Sequence, residues 1–214
     1  MTTSDKSSRM RLAQLQRAML ACTRCDALVR CRTRVVPGAG AAAAAVAFVG
    51  IAPGRFGGDR TGVPFSGDRS GTLLRAMIAA AGLRRVFITN LVRCNPRDGR
   101  GRNRDPLAAE IANCRSHLEA ELALVRPKLV VCLGRITWLH LAGREAAFDP
   151  AGAAVVRAGR WLLYPMYHPA YVNRGAYPVQ CYARDFARLR SALQGLGRGD
   201  FAAAGGGAGR IAIR

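Results

Sequence analysis

The feature that most constrains the fold of this chain is an apolar strand that breaks into a glycine-rich loop. Residues 46–49 (VAFV) are all apolar, and residues 50–71, which follow, contain seven glycines and two prolines. A stretch with so many interruptions predicts a loop instead of regular structure. Because glycine tolerates positive φ and lets another molecule approach the backbone closely, the pattern predicts a binding site at the carboxyl end of the strand.

This glycine-rich loop also carries side chains that suit a binding site. A phosphate cradle for a mononucleotide is disfavoured, because neither GxGxxG nor GxxxxGK followed by Ser or Thr occurs in it. A long connection without a function stays open as the alternative. The side chains of interest are Phe65, Asp59, Asp68, Arg55, Arg60 and Arg69.

The charge of the chain indicates the kind of partner. Its 33 Lys and Arg residues outnumber its 13 Asp and Glu residues, which gives a formal net charge of +20. Such a charge attracts a polyanion over long range, so nucleic acid is the expected partner, with a general arginine bias of the proteome as the alternative. The chain has no apolar run long enough to cross a bilayer, and residues 1–10 lack the apolar stretch of a signal peptide. We therefore expect a cytoplasmic, nucleoid-associated protein, and we expect it to be a monomer.

Apolar runs alternate with helical periodicity along the chain. This alternation predicts an α/β fold, with a mostly parallel central sheet flanked by helices, in a single domain over residues 1–196. Residues 1–8 are polar and expected to be frayed, and residues 197–214 form a Gly- and Ala-rich basic tail that is expected to be disordered. Strands are predicted at residues 46–49, 86–89, 129–133 and 161–166, and helices at residues 9–21, 71–82, 107–125, 135–141 and 182–196.

Three residues that could belong to a binding site lie just after the ends of predicted strands. Ile51 opens the glycine-rich loop, Asn90 follows the second strand, and His168 follows the last strand in the segment YHPAYVNRG. The carboxyl ends of parallel strands meet at one edge of a sheet. The three loops are therefore predicted to share one rim.

Seven cysteines in a reducing compartment favour metal ligation over a disulfide framework. Cys22 and Cys25 form a CxxC pair, Cys94 lies in a basic loop, and Cys114 lies on the longest predicted helix. Four thiolates suit either a zinc ion or a 4Fe-4S cluster, and spacing alone leaves both open.

The other three cysteines are less suited to this set. Cys31 competes with Cys25 as a ligand, Cys132 lies in an apolar strand and is expected in the core, and Cys181 precedes the last helix without a neighbouring partner in the sequence.

Several ordered motifs resemble the iron-sulfur uracil-DNA glycosylases, families 4 and 5 of that superfamily, over residues 22–190. The motifs are CTRC, GIAPG with TGVPFSGDRSG, FITNLVRCNPRD, the cysteine of EIANC, VVCLG and YHPAYVNR. The resemblance implies a 4Fe-4S cluster held by Cys22, Cys25, Cys94 and Cys114, and so favours iron over zinc. It also implies a DNA glycosylase that removes uracil in base-excision repair.

The resemblance further implies a role for each residue of the predicted rim. Phe65 would stack on a base flipped out of the duplex, and Asn90 would pair with the uracil N3–H and O4. His168 would donate a hydrogen bond to uracil O2 as charge develops there. Ile51, Ala52 and Gly54 would contact the base, and Arg60, Arg69, Tyr171, Asn173 and Arg174 would contact the DNA.

At Ile51 the sequence departs from family 4, which has a glutamate there, and resembles family 5. Asp59, slightly favoured, or Asp68 would then supply a carboxylate that positions water, or water would be held without an acid. A pocket without the glutamate is expected to admit hypoxanthine and xanthine as well as uracil. The competing classes are a DNA-binding module of the same fold without catalysis and a zinc-bound regulator.

Overall fold

The computed structural model describes residues 3–198 and 210–211 of the protein. Its seven strands are β1 (Ala39–Gly40), β2 (Val46–Gly50), β3 (Val86–Asn90), β4 (Leu129–Leu133), β5 (Val155–Ala158), β6 (Trp161–Met166) and β7 (Arg210–Ile211). The helices of this part of the chain are α1 (Thr3–Leu20), α2 (Asp26–Cys31), α3 (Gly58–Thr61), α4 (Arg69–Ala80), α5 (Ala108–Val125), α6 (Arg135–Ala142), α7 (Pro169–Asn173) and α8 (Val179–Arg198).

The strands form one mixed sheet in the order β1-β3-β2-β4-β6-β5-β7. The four central strands β3, β2, β4 and β6 are parallel, whereas β1, β5 and β7 pair antiparallel at the two edges. The register places Gly50 opposite Asn90 and Leu133 opposite Met166. The central strands therefore end together at one edge of the sheet.

The apolar strands are explained by helices on both faces of the sheet, since β2 and β4 are buried along their whole length. Successive residues of β2 point to opposite faces: Ala47 and Val49 join one core with α1, α5 and α6, while Val46 and Phe48 join the other with α4 and α8. The α/β architecture predicted from the sequence is thus confirmed, although the sheet is mixed at its edges.

Several elements differ from the sequence prediction. The first helix begins at Thr3 and not at residue 9, so residues 3–8 are helical, and α3 lies inside the loop predicted to be irregular. The short elements α2, β1, β5 and α7 carry too few periodic residues to be predicted from sequence. In the predicted tail, residues 197–198 extend α8 and residues 210–211 form β7, while residues 199–209 and 212–214 lie outside the described residues.

A buried ion pair joins α5 to the end of β3. Arg93 and Glu121 are 1% and 0% exposed, and the guanidinium of Arg93 donates to Glu121 and to the backbone oxygen of Asn90. Glu121 also accepts hydrogen bonds from the Thr89 hydroxyl, at 2.7 Å, and from the backbone N–H of Gly38, at 2.7 Å. Buried charges persist only when they are paired and hydrogen-bonded, as both are here.

Within the part of the chain that the structure describes, no helix is long and apolar enough to span a membrane.

Candidate active site

A cavity of about 330 Å³ opens at the shared carboxyl edge of the central strands. This volume is that of a small-molecule site. The loops after β2, β3 and β6 supply its walls. Its lining residues are Ile51, Ala52, Pro53, Gly54, Gly58, Phe65, Asp68, Ser70, Asn90, Asn95, Pro96, Asn103, Arg104, Asp105, His168, Ala170 and Arg174.

Asn90, the last residue of β3, presents an unsatisfied amide to this cavity. The residue is 1% exposed, and within the described residues neither its Nδ2 nor its Oδ1 has a hydrogen-bond partner. A buried amide without partners is costly unless a ligand completes its hydrogen bonds. The side chain therefore has one donor group and one acceptor available for a molecule in the cavity.

The Phe65 ring packs against the bare backbone of Gly50. A Cβ atom built on Gly50 would lie 2.6 Å from Phe65 ring atoms and 2.5 Å from Asn90 Oδ1, so glycine is required for this approach. Phe65 itself has a φ of 50°, an unfavourable conformation for a bulky residue. Arg75 stabilises the strained segment, because its guanidinium donates to the Phe65 and Pro64 carbonyl oxygens at 2.7 and 3.0 Å.

His168 faces the same cavity and is the residue that precedes α7. Its Nδ1 accepts a hydrogen bond from the backbone N–H of Ala170 at 3.1 Å, which places the proton of the neutral ring on Nε2. The centroids of the His168 and Phe65 rings are 5.5 Å apart. Burial, and to a lesser extent the positive charge of Arg174, lowers the pKa of His168 to about 4. At neutral pH the ring is a neutral Nε2–H donor.

The two candidate carboxylates occupy different places. Asp59 is 0% exposed and lies outside the cavity lining, where it accepts hydrogen bonds from the backbone N–H groups of Thr33 and Arg34 and pairs with Arg97. The Asp59 carboxylate is therefore occupied by contacts that join the glycine-rich loop to residues 33–34 and to the loop after β3. The preference for Asp59 over Asp68 as the acid of the site therefore receives no support from the geometry.

Asp68, by contrast, lines the cavity. Its Oδ1 accepts a hydrogen bond from the backbone N–H of Gly71 at 2.8 Å, which caps α4. Its Oδ2 lies against the glycine-rich loop, where a Cβ atom on Gly57 would be 2.0 Å from it. One oxygen of Asp68 is thus used for capping, and the other lies close to the loop backbone.

The loop after β3 contributes residues to the cavity lining that were not predicted from the sequence. Asn95 is 1% exposed, and its Nδ2 donates to the Pro53 carbonyl oxygen at 2.7 Å and to Asn103 Oδ1 at 2.8 Å. Arg104 forms a two-pronged pair with Glu110 at 2.8 and 2.6 Å, which raises the pKa of the guanidinium. The sequence could have indicated these residues only by their position, because they lie in a loop with many polar side chains that follows a predicted strand.

The predicted DNA-contacting residues lie outside or at the rim of the cavity. Arg174 lines it and is exposed, whereas Arg60 and Arg69 are exposed but not part of the lining. Tyr171 is 38% exposed and stacks on Tyr167 with a centroid distance of 5.1 Å. Asn173 is half-buried, and within the described residues its Nδ2 has no hydrogen-bond partner.

The four cysteines of the predicted metal set lie in one region, close to α1, α5 and the loop after β3. Burial raises the pKa of Cys94 to about 11; Arg32 opposes this rise, and the nearby thiols of Cys114 and Cys22 add to it. Burial also raises the pKa of Cys114, and Cys22 and Cys25 add to that rise against the opposing charge of Arg93. Among residues 3–198 and 210–211, however, no group of three or more His, Cys, Asp or Glu side chains has the arrangement of a metal site.

Each of these four sulfurs has a nitrogen neighbour within hydrogen-bonding distance. Three of the contacts are donated by Arg32 Nη1 to Cys94 at 3.2 Å, by Arg93 N to Cys114 at 3.3 Å and by Asn113 Nδ2 to Cys25 at 3.4 Å. His117 Nε2 lies 3.5 Å from the Cys22 sulfur. Hydrogen bonds of this kind stabilise negative charge on sulfur, so the donor set is chemically suited to thiolate ligation.

The remaining cysteines have other surroundings. The Cys31 thiol contacts the Asn95 carbonyl oxygen at 3.4 Å, and Cys181 accepts a hydrogen bond from Arg184 at 3.0 Å. Cys132 is fully buried in β4, where burial raises the pKa of its thiol. The expectation that Cys132 is a core residue is confirmed.

Comparison with known proteins identifies the family. The uracil DNA glycosylase superfamily matches residues 37–192. The chain belongs to this superfamily. It is 36% identical over 188 residues to a type-4 uracil-DNA glycosylase of Archaeoglobus fulgidus, an alignment that covers 83% of this chain and 91% of the relative.

Type-5 members of the superfamily are about as similar. A type-5 uracil-DNA glycosylase of Pyrobaculum aerophilum is 35% identical over 202 residues, covering 78% of this chain and 87% of the relative. A type-5 enzyme of Mycobacterium leprae is 35% identical over 164 residues, covering 65% of this chain and 69% of the relative. The resemblance to both types that the motifs indicated is thereby confirmed, and the chain is a member of an enzyme superfamily.

The protonation of His168 in this superfamily member gives a testable prediction. We expect its imidazole to titrate near pH 4, because the folded state disfavours the charged ring. Between about pH 6.5 and pH 4 the unfolded chain binds a proton that the folded chain does not, so this residue lowers stability as the pH falls through that window. The measurement is a histidine NMR titration, with the His168 signals assigned from a His168→Gln variant.

A matched variant tests the cause of the shift. Arg174→Gln removes the nearby positive charge and leaves burial in place, so the midpoint should rise by less than the full distance to the ordinary value. A wild-type midpoint near 6.5 would contradict the buried, neutral state of the ring.

Proposed function

We propose that the protein hydrolyses the N-glycosidic bond of uracil in DNA and leaves an abasic site, as a monofunctional enzyme of base-excision repair. The observation that carries this proposal is the unpartnered, buried amide of Asn90 facing a cavity that Phe65 and His168 also line. Together these groups offer a stacking face, a hydrogen-bonding edge and a donor for a leaving group. A base flipped out of a duplex requires these three elements.

Recognition of uracil is assigned to the Asn90 amide. Its Oδ1 would accept the hydrogen of N3 and its Nδ2 would donate to O4, which would satisfy both unpartnered atoms. Cytosine presents the reverse pattern at these positions, so it would leave buried groups unpaired, at about 1–3 kcal/mol each. The backbone oxygen of Asn90 is fixed by Arg93, which supports a fixed orientation of the residue.

Catalysis is assigned mainly to His168. As the bond to the sugar breaks, negative charge grows on uracil O2, and a neutral Nε2–H placed beside it would stabilise that charge. The low pKa of the ring supports this assignment, because a neutral donor is present over the whole physiological pH range. Phe65 would hold the base by stacking, an interaction worth about 1–3 kcal/mol.

The water that attacks the sugar is assigned to Asp68. Ile51 is apolar at the place where family 4 has a glutamate, and the Asp59 carboxylate is occupied by Arg97 and two backbone N–H groups. Asp68 is the candidate acid of the glycine-rich loop that lines the cavity. We assign the positioning role to its Oδ2, since Oδ1 caps α4.

The apolar Ile51 also supports a broader substrate range. Ile51 places an apolar side chain where a glutamate would place a carboxylate, and hypoxanthine and xanthine are the deaminated purines that we expect the cavity to accept in addition to uracil. Strand cleavage is not part of the proposal, because neither lysine of the chain, Lys6 or Lys128, lines the cavity.

Contacts to the DNA backbone are assigned to the exposed cations and to α7. Arg60 on α3, Arg69 at the start of α4 and Arg174 directly after α7 are exposed, and they would pair with phosphates. Tyr171 and Asn173 on α7 would approach the duplex from the same side as Arg174. The net charge of +20 would make binding strongly dependent on salt.

A 4Fe-4S cluster held by Cys22, Cys25, Cys94 and Cys114 is part of the proposal. The support is that three separate segments bring four thiols into one region, each with a nitrogen neighbour. The cluster would serve as a structural cross-link between the end of α1, the loop after β3 and α5. Because the backbone N–H of Arg93 contacts the Cys114 sulfur, a cluster held there would brace the segment that follows Asn90.

Release of bases from DNA duplexes tests the proposed activity. Duplexes that contain uracil, hypoxanthine or xanthine are incubated with the protein, and abasic sites are revealed with alkali. Asn90→Ala should lower the rate of uracil release at least about a hundredfold, since it removes two hydrogen bonds in a buried site. Gln194→Ala, which removes an exposed amide on α8, is the matched control and should release uracil like the wild type. Tight, salt-sensitive binding by the wild type without release would favour the inactive DNA-binding module.

A pair of variants separates the two aspartates. Asp68→Asn should lower the maximal rate of base release while leaving DNA binding in place, because it removes the carboxylate beside the cavity. Asp59→Asn should instead lower the free energy of unfolding, since its partner Arg97 loses a buried ion pair. Single-turnover kinetics and urea unfolding measure the two effects. The assignment is wrong if Asp68→Asn retains the full rate and Asp59→Asn loses it in a fully folded protein.

The cluster is tested by removing one ligand. Cys94→Ser should lose bound iron, visible absorbance and thermal stability together, whereas Cys132→Ser, a buried cysteine outside the set, should retain its iron. Metal analysis and absorbance spectra of anaerobically purified protein give the readout. Zinc in place of iron in the wild type would favour the zinc-bound alternative.

A further inference from the structure

An exposed phenylalanine lies in the glycine-rich loop, between residues that line the cavity, and has no role in the site described above. The side chain of Phe56 is 67% exposed, although phenylalanine is a residue that proteins usually bury. It lies two residues after Gly54 and two before Gly58, both of which line the cavity. The ring is therefore exposed on a segment whose flanking glycines line the cavity.

The neighbouring Arg55 supports the Phe56 ring. Its guanidinium carbon lies 5.1 Å from the ring centroid, a cation–π contact. The same guanidinium donates from Nη1 to the Gly101 carbonyl oxygen at 2.8 Å, and the Arg55 backbone N–H donates to Asn103 Oδ1 at 3.1 Å. Two anchors on the loop after β3 thus hold Arg55, and Arg55 in turn orders the exposed ring.

Base flipping creates a need for such a surface. When a nucleotide leaves the duplex, the base opposite it loses its partner and the strand neighbours lose a stacking contact. An aromatic ring next to a cation is a sequence-tolerant surface for an exposed base, because every base has a π face. The cation would also lie close to the phosphates of the same strand.

We propose that Phe56 and Arg55 form a base-stacking site outside the cavity, which takes a nucleobase that uracil flipping leaves without its stacking or pairing partner. This inference rests on the proposed function. The ligand of this site is the exposed face of a nucleobase. That nucleobase is either the base opposite the uracil or the base next to the uracil in the same strand. Phe56 stabilises the open duplex from outside while Phe65 holds the flipped base inside.

The test uses single-turnover uracil release from a duplex over a range of protein concentrations. Phe56→Ala should raise the protein concentration that gives half-maximal rate about tenfold, the loss of one base–aromatic stack. Phe56→Tyr retains an aromatic face and should restore the wild-type value. Met10→Ala is the matched control, because Met10 is also exposed, at 70%, but lies on α1.

Two further duplexes distinguish the sources of the base. One carries an abasic residue opposite the uracil, and the other carries an abasic residue next to it. The difference between wild type and Phe56→Ala should disappear on the duplex that lacks the stacked base and persist on the other. Equal values for wild type and Phe56→Ala on the normal duplex, or an unchanged difference on both modified duplexes, would overturn the inference.

Failure of this inference and failure of the proposed function give different results. If the wild type releases no uracil, the proposed function is wrong. If the wild type releases uracil and Phe56→Ala matches it, the stacking site alone is wrong. Because Phe56 is exposed, its replacement is expected to leave the fold intact, and a thermal unfolding curve checks this directly.

Discussion

The buried pair of Arg93 and Glu121 is the interaction on which the rest of the site depends. Glu121 receives hydrogen bonds from β3 and from the segment before β1, while Arg93 holds the carbonyl oxygen of Asn90 and, through its backbone N–H, contacts the Cys114 sulfur. One ion pair therefore connects the strand end that presents the amide with the region of the four cysteines. Because two charges are removed from water, losing either partner would leave the other uncompensated and would disturb both regions together.

Local strain and unsatisfied polarity are concentrated at the cavity. Phe65 has a left-handed backbone, the Asn90 amide lacks partners among the described residues, and His168 is kept neutral by burial. Each of these states is unfavourable in isolation, and each is held by surrounding contacts such as the hydrogen bonds from Arg75 to the Phe65 segment. The cavity is thus preorganised for a ligand before the ligand arrives, which reduces the reorganisation needed for binding.

The main residues of the site could be predicted from the sequence because they lie at or just after the carboxyl ends of predicted strands. The apolar strands β2 and β4, the amide of Asn90 and the ring of His168 were all predictable, since parallel strands bring their carboxyl ends to one edge. The sequence could not distinguish Asp59 from Asp68, because both are aspartates in the same loop. Only the fold shows that Arg97 and two backbone N–H groups contact the Asp59 carboxylate. Arg75 and Asn95 were missed for a similar reason, as their importance lies in carbonyl groups distant in sequence. The antiparallel edges depend on strands of two to four residues, which carry little periodic pattern.

The close approach at Gly50 has a consequence for how this pocket can change. Any side chain at that position would displace the Phe65 ring and the Asn90 amide at the same time, so this part of the pocket cannot be altered in small steps. If the pocket holds a base as proposed, variation in the accepted base would come from the wall, to which Ile51 and Ala52 contribute. Directed evolution of this scaffold toward new lesions would therefore be most productive at the two residues immediately after the glycine, with the glycine itself left unchanged.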